Sequence, residues 1–248
     1  MEYIERIYRN RTNGKGMVSF PVSLRESDLY ISVDEASYTQ ELERISLSLL
    51  YKCRGVLEQY LVRDPDFGRA LKPHSVSHRS PRIVRMMAIA GARVDVGPMA
   101  AVAGAVAEMV GRGLLRHARE VIVENGGDIF LKTFHPVTVG IFAGPSPLSE
   151  KVGIRVHPGG GIYGICTSSG TVGPSLSFGK ADAAVVLSTS AALADAAATA
   201  LGNRVHTQAD ISPAINYICG IRGIRGALVI QGDRLGAMGD VELVPLHR

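Results

Sequence analysis

Apolar residues recur along this chain in two rhythms. Between Ser37 and Arg63, Leu42, Ile45, Leu49, Val56, Leu57 and Tyr60 return near helical spacing. That spacing predicts a long amphipathic helix, stopped by Asp64-Pro65. Residues 66–80 read as a loop. Pro81 suits the first turn of a short helix over 82–90, and Pro98 opens a second, Ala- and Gly-rich helix over 98–118. A third helix over 190–201 is almost all alanine and leucine, and a fourth spans 212–221. The other rhythm is short. Apolar runs bounded by Gly, Pro and Ser predict strands at 3–8, 17–23, 29–33, 121–125, 128–132, 137–143, 152–157, 161–166, 183–188, 227–232 and 241–246. Asn13-Gly14 marks a turn between the first two. The order is strands, helices, a run of strands, then helix and strands. It predicts an α+β fold with antiparallel pairing, not a βαβ alternation. No internal repeat or linker breaks the chain, so residues 1–248 read as one domain.

Composition narrows this picture. A chain that is 46% hydrophobic and 20% charged is too apolar for disorder. The charged N-terminal stretch has no apolar core of a signal peptide, and the most apolar run, 181–201, is interrupted by Asp182, Ser188, Ser190 and Asp195. Three cysteines without paired spacing fit a reducing compartment. The expectation is a cytoplasmic protein with no membrane span. Net charge is only +4, but its layout is uneven. From Phe67 to Val94 there is no acid, while Arg69, Lys72, His74, His78, Arg79, Arg82, Arg85 and Arg93 fall there. Such a block is either a solvated basic face or a site for a small anionic ligand such as a nucleotide. It lacks interleaved aromatics and any nucleic-acid motif, which argues against nucleic acid.

Four segments carry candidate chemistry. In the alanine-rich helix, Asp195 and Thr199 share one face at i and i+4. A carboxylate and a hydroxyl offer two hard oxygens to Mg2+, whose shell substrate phosphates and water complete. The alternative is structural: Asp195 near a helix start and Thr199 bonded back to a carbonyl. Asn125-Gly126-Gly127-Asp128 reads as a hairpin turn whose glycines also let backbone amides approach a ligand. Cys166-Thr167-Ser168-Ser169-Gly170 leaves a strand end as a small hydroxyl-rich loop, an anion cradle or a plain turn. Cys166 is either an inert buried thiol or, with a lowered pKa, a nucleophile. Asp95 to Ala101 places Pro98 at a helix opening, where free amides face an anion.

In this order, the segments resemble those of the ApbE-type FAD:protein FMN transferases. Asp95 to Val102 is similar to the family's Asp-Leu-Gly-Gly-Ile-Ala-Lys-Gly, with Ala101 in place of the Lys. Asn125 to Ile129 stands where the family has Asn-Leu/Gly-Gly-Asp-Ile, and Thr167 to Gly170 resembles its Thr-Ser-Gly. Ala194 to Leu201 matches its Ala-Asp-Ala-Leu-Ala-Thr-Ala-Leu closely. The resemblance covers about residues 90–205. It implies a T-fold-like architecture of helices packed on antiparallel sheet. It implies FAD and Mg2+ as ligands, with Asp195 and Thr199 holding the metal. Ala100, Gly126, Gly127, Asp128, Ser168, Ser169 and Gly170 would line the flavin nucleotide site. The implied reaction is FMN transfer or FAD pyrophosphate cleavage. The chain departs from the family where a His-Ile-Ile-Asp-Pro loop is expected: Thr171 to Lys180 holds neither His nor Asp. The branch it resembles therefore lacks that acid–base loop, with His74, His78 or Asp182 as candidate replacements and no catalytic residue assigned. Two other classes stay open: thiol chemistry at Cys166, and a non-catalytic, homo-oligomeric binding protein.

Overall fold

A computed structural model describes residues 16–170 and 178–246. The expected strand over 3–8, its Asn13-Gly14 turn and residues 171–177 lie outside the described residues. Two strands, β1 (Met17–Leu24) and β2 (Ser27–Asp34), precede three helices: α1 (Gln40–Arg63), α2 (Pro65–Arg69) and α3 (Arg82–Val94). A 3-10 turn, Pro98–Ala101, then leads into α4 (Val102–Leu114). Five strands follow: β3 (Val121–Asn125), β4 (Asp128–Lys132), β5 (Val137–Gly140), β6 (Val152–Val156) and β7 (Ile162–Ser168). The chain ends with β8 (Ala183–Ser188), α5 (Ala191–Gly202), α6 (Ile211–Cys219), β9 (Ile224–Gln231), β10 (Arg234–Gly239) and β11 (Glu242–Pro245).

Eight strands form one sheet in the order β1-β2-β3-β4-β7-β8-β9-β10, and β11-β6-β5 form a second. Every pairing is antiparallel. The expected α+β architecture of helices packed on antiparallel sheet is what the structure has. Strand alternation splits the core in two. Val121, Val123, Phe130, Cys166, Ala184 and Val186 face the helices. Ile122, Ile129, Leu131, Ile165, Val185 and Leu187 face the small sheet, packing with Val137, Ile154 and Val156. β8 is buried along its whole length because both of its faces are covered. Pro21, which cannot donate to a ladder, sits on the edge strand β1, where that donor is not needed.

Several expected boundaries shift. Asp64-Pro65 ends α1 but also starts α2: the Asp64 side chain accepts from the Phe67 amide at 3.2 Å, with Pro65 at the first helical position. The helix expected over 98–118 is a 3-10 turn followed by an α-helix that stops at Leu114. Thr167 and Ser168, read as loop, are the last residues of β7.

At the centre of the helical layer lies α5. Every residue in it is buried except Asp195 and Thr199, which are partly exposed. A helix apolar on all sides belongs in a core, and its alanines let neighbours come to backbone distance. Gly104 of α4 and Gly164 of β7 both press on Ala191. A Cβ at Gly104 would clash with the Ala191 carbonyl and sit 2.8 Å from the Asp195 Cβ. One at Gly164 would run into the Ala191 backbone. A buried acid fixes the same helix end. Glu108 of α4 accepts from Ser190 Oγ at 2.8 Å and from the Ala192 amide at 3.3 Å, and its other oxygen accepts from Arg112 Nε at 2.8 Å. Ser190 Oγ in turn caps the Leu193 amide at 3.3 Å.

This packing sets a stability test. Gly104→Ala and Gly164→Ala each lower unfolding stability by at least about 1–3 kcal/mol, because the backbones they separate must move apart. Gly55→Ala in α1, where an added Cβ meets nothing within 4 Å, raises it by about 0.5–1 kcal/mol. Urea unfolding midpoints of the three variants measure both signs.

Candidate functional site

One end of the helix–sheet interface is polar, and alternation along three strands makes it so. The parity that turns Val123 and Phe130 toward the helices also turns Asn125 and Asp128 that way. On β7 the same parity turns Gly164, Cys166 and Ser168 to the helices. The Asn125–Asp128 turn is a two-residue hairpin loop with φ of +70° at Gly126 and +106° at Gly127. Both values favour glycine, so the hairpin reading holds. Asn125 Nδ2 donates to the Ala103 carbonyl at 3.1 Å, and the Gly127 amide donates to Glu124 Oε1 at 3.0 Å. The turn is thereby tied to the start of α4.

Onto this end α5 brings Asp195, whose Oδ2 accepts from the Gly104 amide at 2.8 Å. The Ala103 amide adds a second bond. Asp195 thus caps the N-terminus of α4, not of its own helix. Thr199 lies one turn further along the same face, partly exposed. Ala100, also partly exposed, belongs to the 3-10 turn that packs against α5. Ser169 is partly buried, while Gly126 and Gly170 are exposed at the rim. The Gly170 amide donates to the Ala181 carbonyl at 2.9 Å.

Electrostatics sets this cluster apart. Burial pushes the Asp128 carboxyl up to about 7; the neighbouring Cys166 thiol and Thr167 amide oppose the rise, and the Glu124 charge adds to it. Burial also raises Asp195 well above the usual carboxylate range, with the Asp128 charge as the next cause, while the α4 amides partly offset both. No Lys, Arg or His among the described residues contributes to either carboxyl. Two buried oxygens at the cluster, Asp128 Oδ1 and Ser168 Oγ, have no hydrogen-bond partner among the described residues.

Cys166 is fully buried, with Sγ 3.4 Å from the Ala191 carbonyl that accepts from it. Burial and the charges of Asp128 and Asp195 push its thiol well above the ordinary value. A nucleophilic thiolate requires the opposite shift, so the structure does not support thiol chemistry at this residue. Of the three candidate replacements for the missing acid–base loop, the side chains of two are engaged elsewhere. His74 Nε2 lies 3.0 Å from Asp64 Oδ2, Asp182 Oδ2 accepts from the Gly232 amide at 2.7 Å, and His78 is exposed in the loop before α3, where its backbone carbonyl accepts from Arg85 at 2.9 Å. Asp95 is an exposed, left-handed cap at the end of α3, paired with Lys72 at 2.8 Å. Two surface cavities of about 390 Å3 lie elsewhere as well. One is lined by Tyr60, Arg63, Ser77 and Arg79, the other by Arg155, Tyr163, Arg225 and Asp240.

Would a divalent cation fit the cluster? Among the described residues, no three His, Cys, Asp or Glu side chains converge as metal ligands. The available donors are hard oxygens from Asp195 and Thr199, beside a second carboxyl and an orphaned hydroxyl. That donor set suits Mg2+, which takes one or two carboxylates and leaves the rest of its shell to phosphate and water. The missing positive charge is the feature a cation would supply. Sequence reasoning named Asp128 and Asp195 separately but not their proximity, and it missed Glu108. The signal for Glu108 was present: it is the one acid in α4, whose other residues are apolar apart from Arg112.

A family model described as AbpE bacteria matches residues 9–217 of the chain. Among curated relatives, a UPF0280 protein of Methanocella arvoryzae is 42% identical over 217 residues, covering 87% of this chain and 86% of that one. A UPF0280 protein of Methanocaldococcus jannaschii is 42% identical over 229 residues, covering 90% and 91%. Among solved structures, the flavin transferase ApbE of Vibrio cholerae matches with a TM-score of 0.57 at 14% identity, covering 90% of this chain and 96% of that one. The flavinyl transferase ApbE of Pseudomonas stutzeri, in its apo form, matches with a TM-score of 0.52 at 14% identity, covering 90% and 94%. At this identity the likeness to the solved structures is one of fold.

The site makes its own prediction for the cation-free protein. Folding raises the Asp128 carboxyl from its ordinary 3.8 to about 7. The native state therefore holds a proton that the unfolded chain releases. That stabilisation is present below about pH 4 and lost as pH rises toward 7. Between pH 4.5 and 7.5 the melting temperature of the metal-stripped protein falls more steeply than that of Asp128→Asn. Equal slopes in the two proteins would refute the burial argument.

Proposed function

The chain belongs to the AbpE bacteria family, and from that premise we propose that it binds a flavin nucleotide, FAD, together with Mg2+. The observation that carries this reading is the Asp128–Asp195 pair, both carboxyls raised by burial, with no Lys, Arg or His among the described residues contributing to either. Asp195 and Thr199 hold the metal in this proposal. Ala100, Gly126, Gly127, Asp128, Ser168, Ser169 and Gly170 line the nucleotide site around it. Bound there, Mg2+ would neutralise charge on the pyrophosphate.

The protein's own groups do the rest. The Asp195 carboxylate is oriented by the α4 amides, so its position is fixed before any ligand arrives. Gly126 and Gly127 leave the rim free of side chains, which admits a bulky nucleotide to the backbone. The chemistry proposed is attack on the FAD pyrophosphate with release of AMP, by an acceptor hydroxyl for FMN transfer or by water for simple cleavage. Either needs an acid–base group, and the interval Thr171 to Lys180 supplies neither His nor Asp. Binding is therefore the part of the proposal that the site supports most directly, and binding without transfer is its second form.

Calorimetric titration of FAD into metal-stripped protein, with and without Mg2+, tests it. The expected outcome is binding that depends on Mg2+ and is lost in Asp195→Ala, followed by an assay for AMP. Absence of FAD binding under all conditions, or Mg2+-dependent binding that survives Asp195→Ala, would overturn the assignment.

A further inference from the structure

The two orphaned oxygens need an account of their own. Asp128 and Ser168 are 9% and 7% exposed, and neither Asp128 Oδ1 nor Ser168 Oγ has a hydrogen-bond partner among the described residues. A buried polar atom left unpaired costs about 1–3 kcal/mol, so two in one place point to a group that satisfies both. Their positions follow from the packing. Asp128 lies where β4 extends opposite Cys166, since Ile129 pairs with Ile165. Ser168 is two residues beyond Cys166 on the same face of β7. Helix α5 runs along β7 in the same sense. Ala191 lies over Gly164, and near its other end Gly202 touches Gly179, which touches Gly170. Asp195 and Thr199 are thus carried past Cys166 toward Ser168, and Asp195 is close enough for its charge and that of Asp128 to oppose each other.

We propose that Asp128 and Ser168 supply further protein oxygens to the cation held by Asp195 and Thr199, through Asp128 Oδ1 and Ser168 Oγ. The inference rests on the reading that Asp195 and Thr199 bind a divalent cation, and it assigns the chemistry of the remaining ligands. Two carboxylates and two hydroxyls make an all-oxygen cradle, with phosphate and water closing the shell. Cys166 sits beside both carboxyls, yet it does not join them as a convergent metal-binding group. The cradle therefore selects a hard cation, Mg2+ or Mn2+, over a thiophilic one. It also accounts for why two acids are kept together in a buried place: the pair is a cost to the empty protein and a ligand set in the filled one.

Mn2+ binding by the full chain, read from the electron paramagnetic resonance of free Mn2+, separates the possibilities. Wild type is expected to bind Mn2+, and Asp128→Asn and Ser168→Ala each to weaken binding about tenfold or more. Asp128→Asn is also expected to raise the melting temperature of the metal-stripped protein at pH 7.5, because it removes a buried carboxyl whose charged form burial disfavours. A residue with a purely structural role would lower it. Co2+ substitution is expected to give no sulfur-to-cobalt charge-transfer band. Unchanged Mn2+ affinity in both variants, with binding still lost in Asp195→Asn, would overturn this inference and leave the Asp195–Thr199 reading standing. A charge-transfer band that disappears in Cys166→Ser would overturn the all-oxygen cradle. Failure of wild type to bind Mn2+, or binding indifferent to Asp195→Asn, would overturn both.

Discussion

The close approach of α5 to its neighbours is the constraint on which the rest of the structure depends. A helix of alanines can be pressed against a strand and a second helix at backbone distance, and Gly164 and Gly104 complete the fit by removing the side chains in the way. Larger residues at these points would hold the layers apart. The Glu108–Ser190 bond then fixes where α5 begins, so that one turn later Asp195 reaches the amides of α4. The position of the polar cluster is thus a consequence of apolar packing. It is built at the edge of a core whose geometry is already settled.

That position has an electrostatic cost. Asp195 is favoured by the positive end of α4, but Asp128 comes to it from the sheet with no Lys, Arg or His among the described residues to offset the pair. Burial raises both carboxyls, the Asp128 charge adds to the rise at Asp195, and the Glu124 charge adds to that at Asp128. Proteins tolerate such an arrangement where a ligand offsets it, and perturbed carboxyls of this kind concentrate at functional sites. Cys166, caught between the two acids, is driven toward the inert thiol by the same field. One set of charges therefore favours cation chemistry and disfavours sulfur chemistry at the same place.

Much of this was legible in the sequence. Helical and two-residue periodicity located α1, α3, α5 and most strands, because in each the buried face is apolar and the turns are marked by Gly, Pro or Asn. Strand β10 was not found: its Arg-Leu-Gly-Ala-Met-Gly run lacks β-branched residues, and Gly236 is there because Ile211 and Ile215 of α6 lie directly over it. Helix α2 was hidden because Asp64-Pro65 signals both an end and a beginning. At the site, the Asp195–Thr199 spacing and the Gly126-Gly127 turn could be read locally. The meeting of Asp128 with Asp195 could not, since it depends on which strand α5 crosses. The same limit explains why His74 and Asp182 could be named as acid–base candidates although the fold commits their side chains to other partners.

The central claim is that the end of the interface between α4, α5 and β7 is a cation site serving a nucleotide. Crystals grown with Mn2+ and ADP, measured at the manganese absorption edge, test it most directly. The account predicts an anomalous peak bounded by Asp195 and Thr199, with phosphate oxygens completing the shell. A map with ADP bound and no manganese at Asp195, or with manganese bound only at another part of the surface, would contradict it.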